Sequence, residues 1–390
     1  MRKINLQYIL VILFFCGFVI TKVAFAAQEK KWPDSLSSGL GHLLKLSDPN
    51  NGKEFNLEMM IPLLSFVSDS LDPKNTIYTN GDRFNPSAFY RFDIERSLEK
   101  IIQYGFNPDI SSVLLRPSSV RLSRWSKVEG QKKKLPKLWQ YLSDLSSPVI
   151  VRGVEHIEIT PDTNSGTYFS YDMNRTFILF KYKGRKIMIS LSDQIDKSAV
   201  GKKGLILGPD ENWDYLYTDE EGINKMGLGW VRSRIYKSNN IMIFYDNNRE
   251  GSSVRCAVFN WIKAGWAGLN MVNNQHIYNG IIRFANNFKA ILENATLPAP
   301  KELAHHLARF EKMPLNELRN RTRLYLKSLE NRYANRKKMI VKLIKNQSYI
   351  NKLHREEMVS MLIKEYTKVL IGKQPANKVD YLMGWLNTSA

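Results

Sequence analysis

The sequence predicts an α+β fold: a helical N-terminal region, a central antiparallel β-sheet and a basic α-helical C-terminal region. Three observations predict it. Helical spacing and helix caps dominate up to about residue 147, and runs rich in β-branched and aromatic residues dominate from about 148 to 246. From about residue 253 amphipathic helical runs return, punctuated by prolines. At 390 residues and 43% hydrophobic content, the chain is long enough to bury a sizeable core. The predicted organisation is residues 1–26, 27–147, 148–296 and 297–390.

The first segment reads as a secretory signal. Arg2 and Lys3 precede an apolar run over residues 9–20, and Ala24-Phe25-Ala26 places small residues where a signal peptidase cuts. The run is short for a bilayer core of about 30 Å, so cleavage is expected, with retention as an anchor as the alternative. After cleavage no transmembrane helix is expected. Bulky Phe15 before Cys16 argues against lipid attachment, and the mature chain keeps a single cysteine, Cys256, so no internal disulfide is possible. These features predict a periplasmic or secreted bacterial protein.

Within residues 27–147 the clearest expected helix is 87–104, with Asn85 as cap, Pro86 in the first turn and Gly105 as the left-handed stop. Residues 57–71 read as a helix kinked or broken at Pro62. The run Gln131-Lys132-Lys133-Lys134 is expected to be a solvated turn.

The central region begins with a strand over 149–159. Residues 177–182 and 185–190 flank Lys183-Gly184, which predicts a hairpin with a two-residue turn. A second hairpin is expected from 230–236 and 241–245, turning through residues 237–240. The simplest assembly is an antiparallel sheet of about five or six strands.

The stretch CAVFNWIKAGWAGLNMV, residues 256–272, is predicted to be an amphipathic helix packed on that sheet. On a helical wheel Phe259, Ile262, Trp266 and Leu269 form a core face, while Ala257, Ala264 and Gly268 leave room for another backbone. Cys256, Asn260, Lys263, Asn270 and Asn274 share a polar arc, which faces water or lines a cleft between the sheet and the C-terminal helices. Lys263 near the centre excludes a membrane span. Asn260, Lys263, Asn270 and Asn274 are therefore candidate binding residues.

The net charge of +20 and pI near 9.7 favour an anionic partner. Residues 301–390 carry 19 Lys and Arg against 8 Asp and Glu, with long amphipathic segments over 315–345 and 350–371. Arg332, Arg336, Lys337 and Lys338 are the candidate binding residues on this basic face. Export and the absence of interleaved aromatics weigh against nucleic acid.

No residue pattern points to a cofactor or catalytic motif. Asp210, Asn212, Asp214 and Glu221 have calcium-loop spacing, but Tyr215 stands where the sharp turn needs glycine. Glu302 and His305 share the spacing of a di-metal helix ligand pair without a second copy. Cys256 and His276 fall on opposite sides of one helix and cannot pair. There is no Gly-x-Ser-x-Gly elbow or phosphate-cradling loop. The expected function is a non-catalytic binding or accessory protein of the envelope, with no cofactor or metal, whose partner is an envelope protein or an anionic surface such as a lipid headgroup or acidic polymer. An envelope hydrolase with an unrecognised site is the alternative.

Overall fold

The computed structural model describes residues 28–51, 54–69, 76–82, 85–129, 133–224, 230–247, 253–333 and 347–376. It is α+β, with N-terminal helices, a large central sheet and C-terminal helices. The main sheet has ten strands. Its path joins β1 (Gln28–Lys31), β2 (Thr76–Thr79), β3 (Ser87–Ile94), β14 (Val254–Trp266), β13 (Arg234–Asp246), β8 (Arg185–Gln194), β7 (Ser170–Tyr182), β5 (Val149–Ile159) and β4 (Val120–Val128), with β15 (Leu269–Asn270) paired to β14. All its pairings are antiparallel except β1 with β2, so the sheet is mixed.

Both faces of the central strands are covered, and their side chains divide by alternation. Ile178, Phe180, Ile187, Ile189, Ile241 and Phe259 face α1 (Leu36–Leu46) and α2 (Ile61–Ser68). Phe177, Leu179, Met188, Phe244, Cys256 and Val258 face the opposite core. That second core is closed by α3 (Leu98–Gly105), α4 (Ser112–Leu115), α5 (Asn274–Leu292), α6 (Pro300–Lys312), α7 (Leu315–Tyr333), α8 (Gln347–Lys352) and α9 (Arg355–Leu370).

The hairpin at Lys183-Gly184 forms as its sequence predicts. Both residues have positive φ, 47° and 75°, the two-residue turn whose twist matches the flanking strands. The second expected hairpin does not form. Residues 237–240 continue β13 without turning, because their polar side chains find partners on neighbouring strands: Lys237 Nζ lies 2.5 Å from Asp193, and Asn239 donates to the same carboxylate at 2.5 Å.

Residues 87–104 divide into a strand and a shorter helix. Residues 87–94 pair with β14 as β3, and Ser97 rather than Asn85 caps α3 by accepting from the Lys100 N–H. Pro62 lies in the first turn of α2, where its missing N–H costs no bond, instead of breaking a longer helix.

The largest correction concerns residues 256–272, which are extended rather than helical. Cys256 to Trp266 belong to β14, a turn follows, and Leu269 and Asn270 form β15. From Cys256 to Phe259 the strand is buried on both faces and apolar at every position, so this part lacks the two-residue alternation that separates strand from helix. Ala267 and Gly268 make the turn with φ of 50° and 79°, and Gly268 has open space beside it. Its role is conformational, not a close approach by another backbone. Leu269 is 58% exposed, outside the core that helical spacing assigned to it.

A smaller three-stranded sheet, β6 (Thr167–Tyr168), β9 (Lys202–Ile206) and β10 (Tyr215–Glu221), stands beside the C-terminal helices. It supplies the aromatic and acidic side chains of the site below.

Candidate functional site

Two concave regions flank the sheet on the side of α5 and α9. The first is polar, a cleft of ≈ 420 Å³ lined by Arg121, Glu158, Tyr168, Lys202, Lys352 and Glu357 among others. It merges with a ≈ 320 Å³ depression bounded by Tyr217, Asp219 and Tyr349. Arg121 organises both: Nη1 donates to Glu158 Oε2 at 2.9 Å and Nη2 donates to Glu357 Oε1. Its guanidinium also lies 4.1 Å from the Tyr217 ring centre and 4.8 Å from that of Tyr168. Planar Arg stacked on rings with two carboxylate partners is held in one orientation. Burial pushes the Tyr168 phenol up to about 12, so it stays protonated and donates to Thr218 O at 2.7 Å.

Behind the cleft lies a buried ionic network. Asp210 receives two bonds from Arg283, at 2.5 and 2.6 Å, and one from the Tyr215 hydroxyl at 2.8 Å. Asp214, wholly buried, accepts from Lys368 Nζ at 2.5 Å and from the Tyr333 hydroxyl at 2.7 Å. Lys368 also meets Glu365 at 2.5 Å. Of the calcium-spaced residues, Asp210 and Asp214 are thus bound to protein cations, and Glu221 meets Arg232 at 3.0 Å. Asp210–Asn212 forms a short 3-10 turn and Tyr215–Glu221 a strand, so the ligand loop itself does not exist. His306, next to the His305 of the Glu302–His305 pair, bonds the Tyr366 hydroxyl at 2.7 Å, and desolvation lowers its pKa.

The second region is apolar, a pocket of ≈ 210 Å³ between the end of the sheet and the start of α5. Ile159, Phe169, Ile235, Ile262, Trp266 and Ile277 line it, together with Met271. Met271 is 49% exposed, and Leu269, two residues earlier, 58%. Gly265 is required at its wall, because a Cβ there would meet Leu269 O at 2.1 Å. Cys256 lies elsewhere, deep in β14, where burial pushes its thiol up well above the ordinary value. His276 lines the pocket instead.

The candidate residues of the sequence do not share one face. Asn260 is half-buried on β14, opposite Asn240. Lys263 is exposed, opposite Lys237. Asn270 ties the turn: its Oδ1 accepts from the N–H groups of Ala264 and Val272, at 3.1 and 3.2 Å, and its Nδ2 donates to Val272 O at 2.8 Å. Asn274 starts α5, accepting from Ser87 N–H at 3.0 Å and donating to Glu29 at 3.0 Å. Arg332 points inward, 3.3 Å from Asp214, and donates to Pro375 O at 2.5 Å. Arg336, Lys337 and Lys338 lie outside the described residues.

Sequence reasoning missed both the Arg121 cleft and the apolar pocket. Arg121, Glu158 and Glu357 are 37 and 236 residues apart in their pairings, and nothing local marks them. The pocket residues were visible only as apolar positions, since the helical reading of 256–272 placed Ile262 and Ala264 on different faces.

No protein-family model matches the chain, and no curated protein matches it. Among solved structures, the human StarD13 (DLC2) lipid transfer and protein localization domain is similar at 10% sequence identity and a TM-score of 0.24, over 60% of this chain and 98% of that domain. A TM-score this low carries no argument about ligand. Among the described residues no helix is long and apolar enough to cross a membrane.

Proposed function

We propose that this chain is an exported, non-catalytic binding protein of the bacterial envelope that takes the apolar part of an amphiphile into the pocket between the sheet and α5. The observation that carries the reading is the pocket itself: an apolar recess lined in part by Met271, which is 49% exposed, with the 58% exposed Leu269 two residues away in the chain. Exposed large side chains beside a recess of matching chemistry mark a binding surface rather than scattered surface apolars. At ≈ 210 Å³ it is smaller than ordinary ligand pockets of roughly 300–1,000 Å³, so it accommodates a segment of a ligand and leaves the remainder at the mouth. Met271 suits a variable occupant because its side chain is unbranched and polarisable.

The excess of 57 Lys and Arg over 37 Asp and Glu favours an anionic headgroup or surface. The leading residues 1–26, with their charged start and small residues before position 27, support export to the periplasm or beyond. The hydrolase alternative is less well supported, because Glu158 and Glu357 in the polar cleft are both bound to Arg121. Equilibrium titration with a fluorescent fatty acid tests the reading. Ala264→Trp fills the recess and is expected to weaken binding at least about tenfold, about 1.4 kcal/mol, while Lys312→Ala on α6 leaves it unchanged. Equal affinity in wild type and Ala264→Trp excludes this pocket.

A further inference from the structure

Arg121 and Glu357 also line a separate cavity of ≈ 10 Å³, together with Tyr215, Tyr217, Tyr325, Met361 and Lys364. Arg121 and Glu357 line both spaces, so their ion pair is the partition between them. Lys364 is 7% exposed. Its Nζ lies 3.4 Å from the Tyr217 hydroxyl and 4.9 Å from the centre of the Tyr215 ring. The nearby acids are committed elsewhere: Asp210 holds Arg283 through two bonds, and Asp214 and Glu365 both hold Lys368. Burial first, then the positive charges of Arg121, Arg283 and Lys368, lower the Lys364 pKa well below the ordinary lysine value, with Asp210 opposing. Burial and neighbouring cations both favour the neutral amine, the form in which lysine is nucleophilic.

We propose that Lys364 is a reactive amine that reversibly captures a small 2-oxo acid as an imine at the inner end of the Arg121 cleft. The ligand's carboxylate takes over the arm of Arg121 now bound to Glu357, and Glu357 keeps its bond from the His354 N–H at 2.6 Å. The Nζ lone pair then forms a bond to the carbonyl carbon while the C=O π pair moves to oxygen, which is protonated. The resulting carbinolamine loses water, the oxygen leaving with both former amine protons, and the C=N bond remains. Amine plus carbonyl thus gives imine plus water, with no change of oxidation state. Tyr217, its phenol kept protonated by burial, is placed to relay the proton to the carbonyl oxygen.

The test uses the folded full-length mature protein with glyoxylate, the smallest 2-oxo acid, and sodium cyanoborohydride at neutral pH, followed by peptide mass mapping. Lys364 is expected to acquire the carboxymethyl adduct at least about tenfold faster than exposed Lys352, since each unit of lowered pKa gives tenfold more free amine. Glu357→Gln, which loosens the partition and retains the bond to His354, is expected to accelerate the reaction at Lys364 alone. Adducts confined to surface lysines, with Lys364 modified only after thermal unfolding, overturn the proposal. Unchanged kinetics in Glu357→Gln refute the partition. The result is independent of fatty-acid binding in the apolar pocket, so either reading can fail without the other.

Discussion

Asp214 and Lys368, 154 residues apart in the chain, meet at 2.5 Å with neither side chain open to solvent. Asp214 immediately precedes β10 and Lys368 lies in the last turn of α9, so their contact fastens the small sheet to the C-terminal helices. Lys364, one turn earlier on α9, is also buried, and among the described residues its polar contact is the Tyr217 hydroxyl at 3.4 Å rather than a carboxylate.

That contrast predicts opposite effects of one substitution. Lys368→Met leaves Asp214 and Glu365 buried beside a lost cation and is expected to destabilise the fold by about 3–5 kcal/mol. Lys364→Met replaces an amine that burial already disfavours as a cation, so stability is expected to hold or rise. Thermal melts of the two variants at neutral pH decide it. A larger loss for Lys364→Met than for Lys368→Met contradicts the network as described.

The turn of β14 and β15 gives a second pair. Gly268→Leu forces a bulky side chain to φ of 79° and is expected to cost about 1–2 kcal/mol through the backbone. Leu269→Asp, beside it but exposed, is expected to fall within about 0.5 kcal/mol of wild type. Chemical denaturation measures both. A severe loss from Leu269→Asp restores the helical reading of residues 256–272.

This pair shows where sequence legibility ended. The α+β class, the Lys183-Gly184 hairpin and the strand over 149–159 follow from local chemistry: a turn glycine and runs of β-branched residues. Cys256, Ala257, Val258 and Phe259 defeat it because each face of β14 has its own core, and the pattern that marks a half-exposed strand vanishes. Lys237 and Asn239 defeat it the other way, as polar residues kept in a strand by Asp193 on the neighbour. The Arg121 cleft and the Asp214 network depend on pairings 37 to 236 residues apart in the chain, which no spacing reveals.

His306 predicts an acid-side loss of stability. Desolvation lowers its folded pKa below the unfolded value, so the contribution is complete above about pH 6.5 and is lost as pH falls through the lower folded value. His306→Gln keeps a polar partner for Tyr366 without titrating. Its melting temperature is expected to fall less than that of wild type between pH 7 and pH 5. Parallel curves show that His306 does not drive the slope.

Export with cleavage after Ala26 predicts a mature chain beginning at Ala27. N-terminal sequencing of protein recovered from the producing bacterium checks it. An intact Met1 in a membrane fraction supports a retained anchor instead.

The central claim is that the recess between the sheet and α5 holds the apolar part of an amphiphile. Photocrosslinking with a fatty acid carrying a diazirine near its methyl end, followed by peptide mapping, tests it most directly. The expected crosslinks fall on Ile262, Trp266, Met271 and Ile277, and they disappear in Ala264→Trp and under competition by unlabelled fatty acid. Crosslinks spread over exposed side chains such as Leu315 and Leu324, unaffected by Ala264→Trp or by competitor, contradict the claim.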